Sequence, residues 1–294
     1  MFAGAFKEQL EEAGLSELPT DEIIGMLSDE QIEQMLVSWE RERHREKFEK
    51  FKNYFPDQYH MVAETEFYPR HLYPRHLEHF KAGAKFDERC FMAGNRVGKT
   101  VAGAYELTCH LLGRYPDWWE GRRFRKPIKA YACGKTNETT RDIVQLELFG
   151  EITWEGGRKT VDGTGMIPTE YIGRGNGQLT WKSGVADLID TVKIKHKSGG
   201  WSRLGLKSYQ QGRGAFEGTA QHVIWTDEEP ELDVYDEMRM RTMTTGGITI
   251  LTYTPLEGLT DTVLSFLPAE MRPASGETLN ADSFTRLNTF GSKE

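Results

Sequence analysis

The decapeptide Phe91-Met92-Ala93-Gly94-Asn95-Arg96-Val97-Gly98-Lys99-Thr100 constrains this chain more than any other stretch. A short apolar run, residues 90–93, enters it and two glycines loosen its backbone. Val101, Ala104, Tyr105, Thr108, Leu111 and Leu112 then recur at helical spacing. Strand, loop and helix in that order is the context a phosphate-binding P-loop requires. The chemistry needs these residue types because successive backbone N–H groups at a helix N-terminus must wrap a polyphosphate. On this reading Ala93, Gly94, Asn95, Arg96, Val97 and Gly98 form the cradle, Lys99 reaches the β/γ-phosphates of ATP and the Thr100 hydroxyl holds Mg²⁺. Ala93 stands where the pattern has glycine, which is tolerable if its φ is negative.

A second anchor lies about 130 residues on, in His222-Val223-Ile224-Trp225-Thr226-Asp227-Glu228-Glu229-Pro230. An apolar strand that ends abruptly in acids after a P-loop reads as a Walker B segment. Asp227 then completes the metal site beside Thr100, and Glu228 polarises the attacking water. A third strand, ending in Thr252-Tyr253-Thr254-Pro255, is expected to lie between the other two. There the Thr252 and Thr254 hydroxyls would sense the γ-phosphate and pass on its loss; the alternative is a strand capped by threonine and stopped by Pro255. Arg213, between Gly212 and Gly214, is a candidate finger for a neighbouring subunit's site, a role worth roughly 10³ to 10⁵ in rate where it occurs. Arg239 and Arg241 are structural or functional alternatives.

Other stretches admit plainer readings. Tyr68-Pro69-Arg70-His71-Leu72 repeats at once as residues 73–77. The second copy falls where many helicase-like ATPases hold adenine, so Tyr73 could stack on a base and His76 could hydrogen-bond it; local helix-start packing is the alternative. Gly134-Lys135-Thr136 is a second GKT, but bulky residues precede it, and Thr136 or Asn137 is expected to cap a helix running to Phe149. Residues 150–221 read as Gly-rich and irregular. Within them Val192, Ile194 and His196 alternate with Lys193, Lys195 and Lys197 in a hairpin whose lysine face is either solvated or set against DNA.

Net charge is −8, yet residues 1–40 hold ten acids and one base, which leaves about +1 on the rest. The body is near neutral with local basic clusters, and the acidic, helical arm or lid (Ser28 with Gln31 forming a capping box) is the exception. Three cysteines without CxxC spacing suit reduced thiols, with neither zinc nor a disulfide. No apolar run approaches a membrane span, and no signal peptide opens the chain, so a soluble, cytosolic protein is expected.

The stretches at residues 88–100, 110–116, 136–139, 209–214, 225–230 and 250–261 together resemble the large terminase subunits of tailed double-stranded DNA bacteriophages, in the podovirus-like headful-packaging branch. The resemblance implies an α/β P-loop NTPase of the ASCE/RecA-like type, with a mainly parallel central sheet flanked by helices. It implies a helical arm (1–58), an ATPase domain (59–267) and a linker (268–294) toward a nuclease domain that this chain does not carry, so nuclease activity is not expected of it. It further implies a homo-oligomeric ring of five on the portal of a procapsid, driving double-stranded DNA inward, with a small terminase subunit as partner. The family often carries arginine one residue before Arg96, where this chain has Asn95; Arg96 is the substitute candidate for that catalytic role. The rival readings are a helicase-like or remodelling ATPase and a nucleotide-gated docking protein.

Overall fold

The computed structural model describes residues 28, 32, 33, 50–62, 65–256, 258 and 260–267. The Ser28 capping box and the 268–294 linker therefore lie outside it, apart from an Ile32 N–H bonded to the Ser28 carbonyl (2.9 Å). The chain divides into two compact units, Met1–Tyr73 and Pro74–Glu294. In the first, α1 (Lys50–Asn53) is followed by an antiparallel hairpin of β1 (His60–Val62) and β2 (Thr65–Phe67). Phe55 and Phe67 are buried there, and Tyr73 packs edge-on against Phe55.

The second unit opens with α2 (Pro74–Ala82), β3 (Glu88–Met92) and α3 (Lys99–Leu112). β4 (Lys129–Gly134) comes next, then a helical stretch over residues 137–149 with a π-helical middle, Thr140–Gln145. Two small strands follow, β5 (Ile152–Glu155) and β6 (Arg158–Val161). After them come β7 (Leu179–Trp181), β8 (Ile189–Lys195), β9 (Trp201–Ser208), β10 (Val223–Asp227), α4 (Leu232–Met243), β11 (Ile248–Tyr253) and α5 (Asp261–Phe266). The main sheet has seven strands in the order β3-β11-β10-β4-β9-β8-β7. The first five run parallel and the last two antiparallel. β11 lies between β3 and β10, as expected from the motifs.

Sequence and burial agree on why. β10 and β11 are buried at every position, the pattern of parallel strands covered on both faces. All of α3 except Thr100 and Val101 is buried, so its apolar character on every side marks a central helix. It comes close to the sheet at Gly103, where a Cβ would stand 2.2 Å from the Trp225 indole nitrogen. Thr136 caps the following helix through a capping box with Thr139, as its sequence position suggested. Residues 150–221 are more ordered than expected. A β5–β6 hairpin turns through Gly156 and Gly157 at positive φ, and β7 extends the sheet; strands of three or four residues carry too little alternation to be seen in sequence. Cys90, Cys109 and Cys133 are free thiols. Among the described residues no helix is long and apolar enough to cross a membrane.

One ion pair sits inside this core. Arg89 of β3 donates twice to Glu106 of α3 (2.7 and 3.1 Å), and His110 lies 3.2 Å from the same carboxylate, all of them buried. Burial alone would raise the Glu106 pKa, but Arg89 and His110 hold it down to about 2. A depressed carboxyl stabilises the fold above its unfolded pKa, and that stabilisation is lost as pH falls through about 2. Removing one partner strands the other charge, so Glu106→Ala should cost on the order of 3–5 kcal/mol in urea unfolding at neutral pH. A cost within about 0.5 kcal/mol, the range of an ordinary surface substitution, would show that the pair does not anchor α3 to β3.

Candidate functional site

The loop between β3 and α3 is held from below by the sheet. The Ala93 N–H reaches the Tyr253 carbonyl (3.4 Å), and the Thr254 hydroxyl donates to Asn95 Oδ1 (2.8 Å). Neither Ala93 nor Gly94 has a φ in the left-handed region; Arg96 (φ 61°) and Gly98 (φ 80°) do. An alanine at position 93 therefore carries no backbone cost, which is why the pattern survives the loss of its first glycine. Gly98 is the position that needs glycine, because a Cβ would also come within 3.2 Å of His76 Nε2. No side chain caps α3 at Gly98, so its first N–H groups face outward at the loop.

The polar side chains converge on Asp227. The Thr100 hydroxyl lies 3.0 and 3.1 Å from its two carboxylate oxygens, and the Thr252 hydroxyl lies 2.8 Å from Oδ1. Asp227 and Thr252 are register partners on adjacent strands, which is what brings residues 25 apart into contact. The Trp225 indole N–H donates to the Thr252 oxygen (2.8 Å), leaving the Thr252 proton for an acceptor on the other side. Burial pushes the Asp227 carboxyl up to about 6, against the opposing hydrogen bonds of Thr252 and Thr100. Burial likewise lowers the Lys99 pKa, with Asp227 opposing; its ammonium donates to the Gly94 carbonyl at 2.5 Å.

Glu228 turns the chain away from β10. Its φ of 76° is a strained value for a residue with a side chain, held by its N–H on the Thr252 carbonyl (2.9 Å). The buried Tyr209 phenol steadies the same turn, 3.2 Å from the carbonyls of Cys133 and Asp227 and 3.3 Å from that of Glu228. Sequence reasoning noticed the 209–214 stretch for its arginine and missed this tyrosine; it follows β9, which β4 separates from the acidic strand β10, so only the strand order brings it to the turn. Glu228, Asn95 and Thr254 line an open cleft of about 620 Å³, and Lys135 lines it too. The lysine of the second GKT thus belongs to the site even though its neighbour Thr136 serves as a helix cap.

Other sequence candidates fall elsewhere. His76 is buried, edge-on to Phe91 (4.9 Å), with its ring turned to the backbone of Val97 and Gly98; burial lowers its pKa. Its environment is the loop turn, not an open base-binding surface. Tyr73 belongs to the other unit. Arg213 pairs with the buried Glu237 (3.1 Å), which also takes Arg241 (2.8 Å), while Arg239 bonds Glu88 (2.8 Å). All three candidate finger arginines are engaged within their own chain. Pro255 follows Thr254, which lines the cleft.

Among the described residues no group of three or more His, Cys, Asp or Glu could hold a metal ion. One carboxylate and one hydroxyl, Asp227 and Thr100, fit Mg²⁺, which binds through few protein ligands and completes its shell with phosphates and water.

The family model described as "Terminase large subunit, T4likevirus-type, N-terminal" matches residues 90–287. The chain belongs to the large terminase subunit family. It is also similar to the "Terminase, large subunit" of Salmonella phage P22, with 35% identity over 266 residues, covering 84% of this chain and 48% of that protein. This terminase chain therefore spans about half the length of that curated relative. No solved structure matches it.

The raised Asp227 pKa carries a stability cost. Between its ordinary value of 3.8 and about 6, the folded state binds a proton that the unfolded state has released, so stability falls as pH rises through that window. Asp227→Asn removes the titration. In urea unfolding the variant should exceed wild type by up to about 3 kcal/mol at pH 7, a margin that closes toward pH 4. A pH-independent difference would count against the buried charge as its origin.

Proposed function

We propose that this chain is a Mg²⁺-dependent ATPase of the ASCE/RecA-like P-loop type, and that it powers translocation of double-stranded DNA into a preformed viral capsid. The observation that carries the reading is the convergence of the Thr100 and Thr252 hydroxyls on the Asp227 carboxylate at the end of β10, next to Glu228 in the chain and within the field of Lys99. Membership of the terminase family and the likeness to the phage P22 large subunit support the packaging role. Portal or procapsid, small terminase subunit and a ring of five copies on the portal, working in the host cytoplasm, are the partners and setting this reading implies.

Each residue has a task in that reaction. The 93–98 backbone and the start of α3 bind phosphate oxygens. Lys99, exchanging its Gly94 carbonyl for the β/γ-phosphates, neutralises charge there, and Arg96 at the loop tip can add to it. Thr100 and Asp227 would hold Mg²⁺, whose chemistry is to polarise the phosphates and offset their charge. Glu228, turned into the cleft by its left-handed backbone, orients the attacking water and accepts its proton. Loss of phosphate is read through Asn95 and Thr254 and through the Glu228 N–H on Thr252, so the Thr252–Pro255 strand end moves with the site. Arg213 could serve a neighbour only by leaving Glu237.

Steady-state turnover tests the base: Glu228→Ala should fall by at least about 10² in kcat while a nonhydrolysable ATP analogue still binds. Unchanged turnover would instead favour a nucleotide-gated docking protein. Trp225→Phe keeps a ring in the Gly103 niche but frees Thr252 to reorient. Losing about 1 kcal/mol of alignment should raise the Mg²⁺ concentration needed for half-maximal turnover roughly fivefold. Glu228→Ala should not show that shift.

A further inference from the structure

We propose that the exposed face of β4, β9 and β8 is a DNA-backbone contact surface of the motor. The inference rests on the packaging reading and adds the surface to it.

In-register residues on neighbouring strands share a face. Arg203 is opposite Lys129 on one side and Lys193 on the other, and Lys195 is opposite Trp201. Lys129, Arg203 and Lys193 therefore form a row across three adjacent strands, about 4.8 Å between neighbours, with Lys195 about 7 Å further along. All four are exposed, as is the Trp201 ring. The alternate residues Val192, Ile194, Ser202 and Leu204 are buried on the opposite face, where the Ser202 hydroxyl bonds the Leu111 carbonyl of α3 (2.7 Å). One side of this sheet is thus covered by α3 and the other carries cations.

Like charges directly opposite each other destabilise a sheet. None of the four makes an ion pair among the described residues. Several arginines elsewhere in the unit do find carboxylates, among them Arg89, Arg122, Arg213 and Arg239. The row on β4, β9 and β8 is an unneutralised stripe on a body whose net charge is near zero. Exposed Arg125 and Lys126 extend it, leading into β4 beside the hairpin turn, where Pro127 packs against Gly200. The ligand that offsets a row of evenly spaced cations is an evenly charged polyanion, and duplex DNA presents one negative charge per ~1.7 Å of its axis. Contacts of this kind go to phosphates and carry no sequence preference, which suits a motor that must move any sequence.

Anisotropy of a fluorescent duplex, titrated with this chain across a KCl series, tests the surface. Each phosphate contact contributes about 0.9 to the slope of log K against log salt, so changing Lys129, Arg203, Lys193 and Lys195 together to Gln should lower that slope by roughly 3 to 4, equally for unrelated sequences. Lys85→Gln, an exposed lysine outside the stripe, should lower it by less than about one. An unchanged slope in the quadruple variant overturns the proposal. So does displacement of the duplex by poly-glutamate at equal charge, which would make an acidic protein surface the occupant. The two readings fail separately. A chain that hydrolyses ATP yet binds DNA without a salt-dependent slope loses only the surface. One that binds DNA through these cations but never hydrolyses ATP loses only the ATPase.

Discussion

The structure depends on a single buried carboxylate. Asp227 sits at the end of β10, 5% exposed, with hydroxyls from α3 and β11 directed at it. A lone buried carboxylate is expensive, and the site lowers that cost in two ways. Two hydroxyl donors solvate the charge, and proximity to Lys99 offsets it. What remains shows as the elevated pKa, a reserve of unfavourable energy that a divalent cation would relieve.

That geometry requires the parallel sheet. Because β11 is inserted between β3 and β10, the loop after β3, the hydroxyls of β11 and the acid of β10 end on the same edge. The register that pairs Asp227 with Thr252 does the rest. Trp225 ties the arrangement to α3: its ring occupies the niche at Gly103 and its N–H orients Thr252. Helix α3 and strands β10 and β11 thus share the Trp225 contact, which links Gly103 to the end of β11.

The site is also bordered by strain and clamps. Glu228 and Arg96 both occupy left-handed backbone without being glycine, and Glu228 is held there by Thr252 and Tyr209. His76 braces the turn at Gly98 from beneath. Strain at Glu228, which lines the cleft, and at Arg96 in the loop beside Asn95 is the pattern of a preorganised site, and it separates this loop from the chemically similar 134–136 stretch, whose threonine is spent on a helix cap.

Sequence alone determined the strand–loop–helix at residues 90–112, the acidic strand end, the intervening threonine strand and the alternating lysine hairpin, because each is a local pattern with its own period or its own sharp boundary. The family followed from their order and spacing. Tertiary structure decided what no local pattern encodes. It showed that Ala93 needs no glycine because the left-handed positions fall at 96 and 98, and that Asn95 answers Thr254. It turned His76 to the loop backbone and Arg213 to Glu237. Lys135 entered the cleft, and the three cations of β4, β9 and β8 came into one row. These are long-range facts: residues 25 to 159 positions apart meet only through strand order and register, and side-chain partners chosen across a sheet leave no trace in the spacing of residues along it.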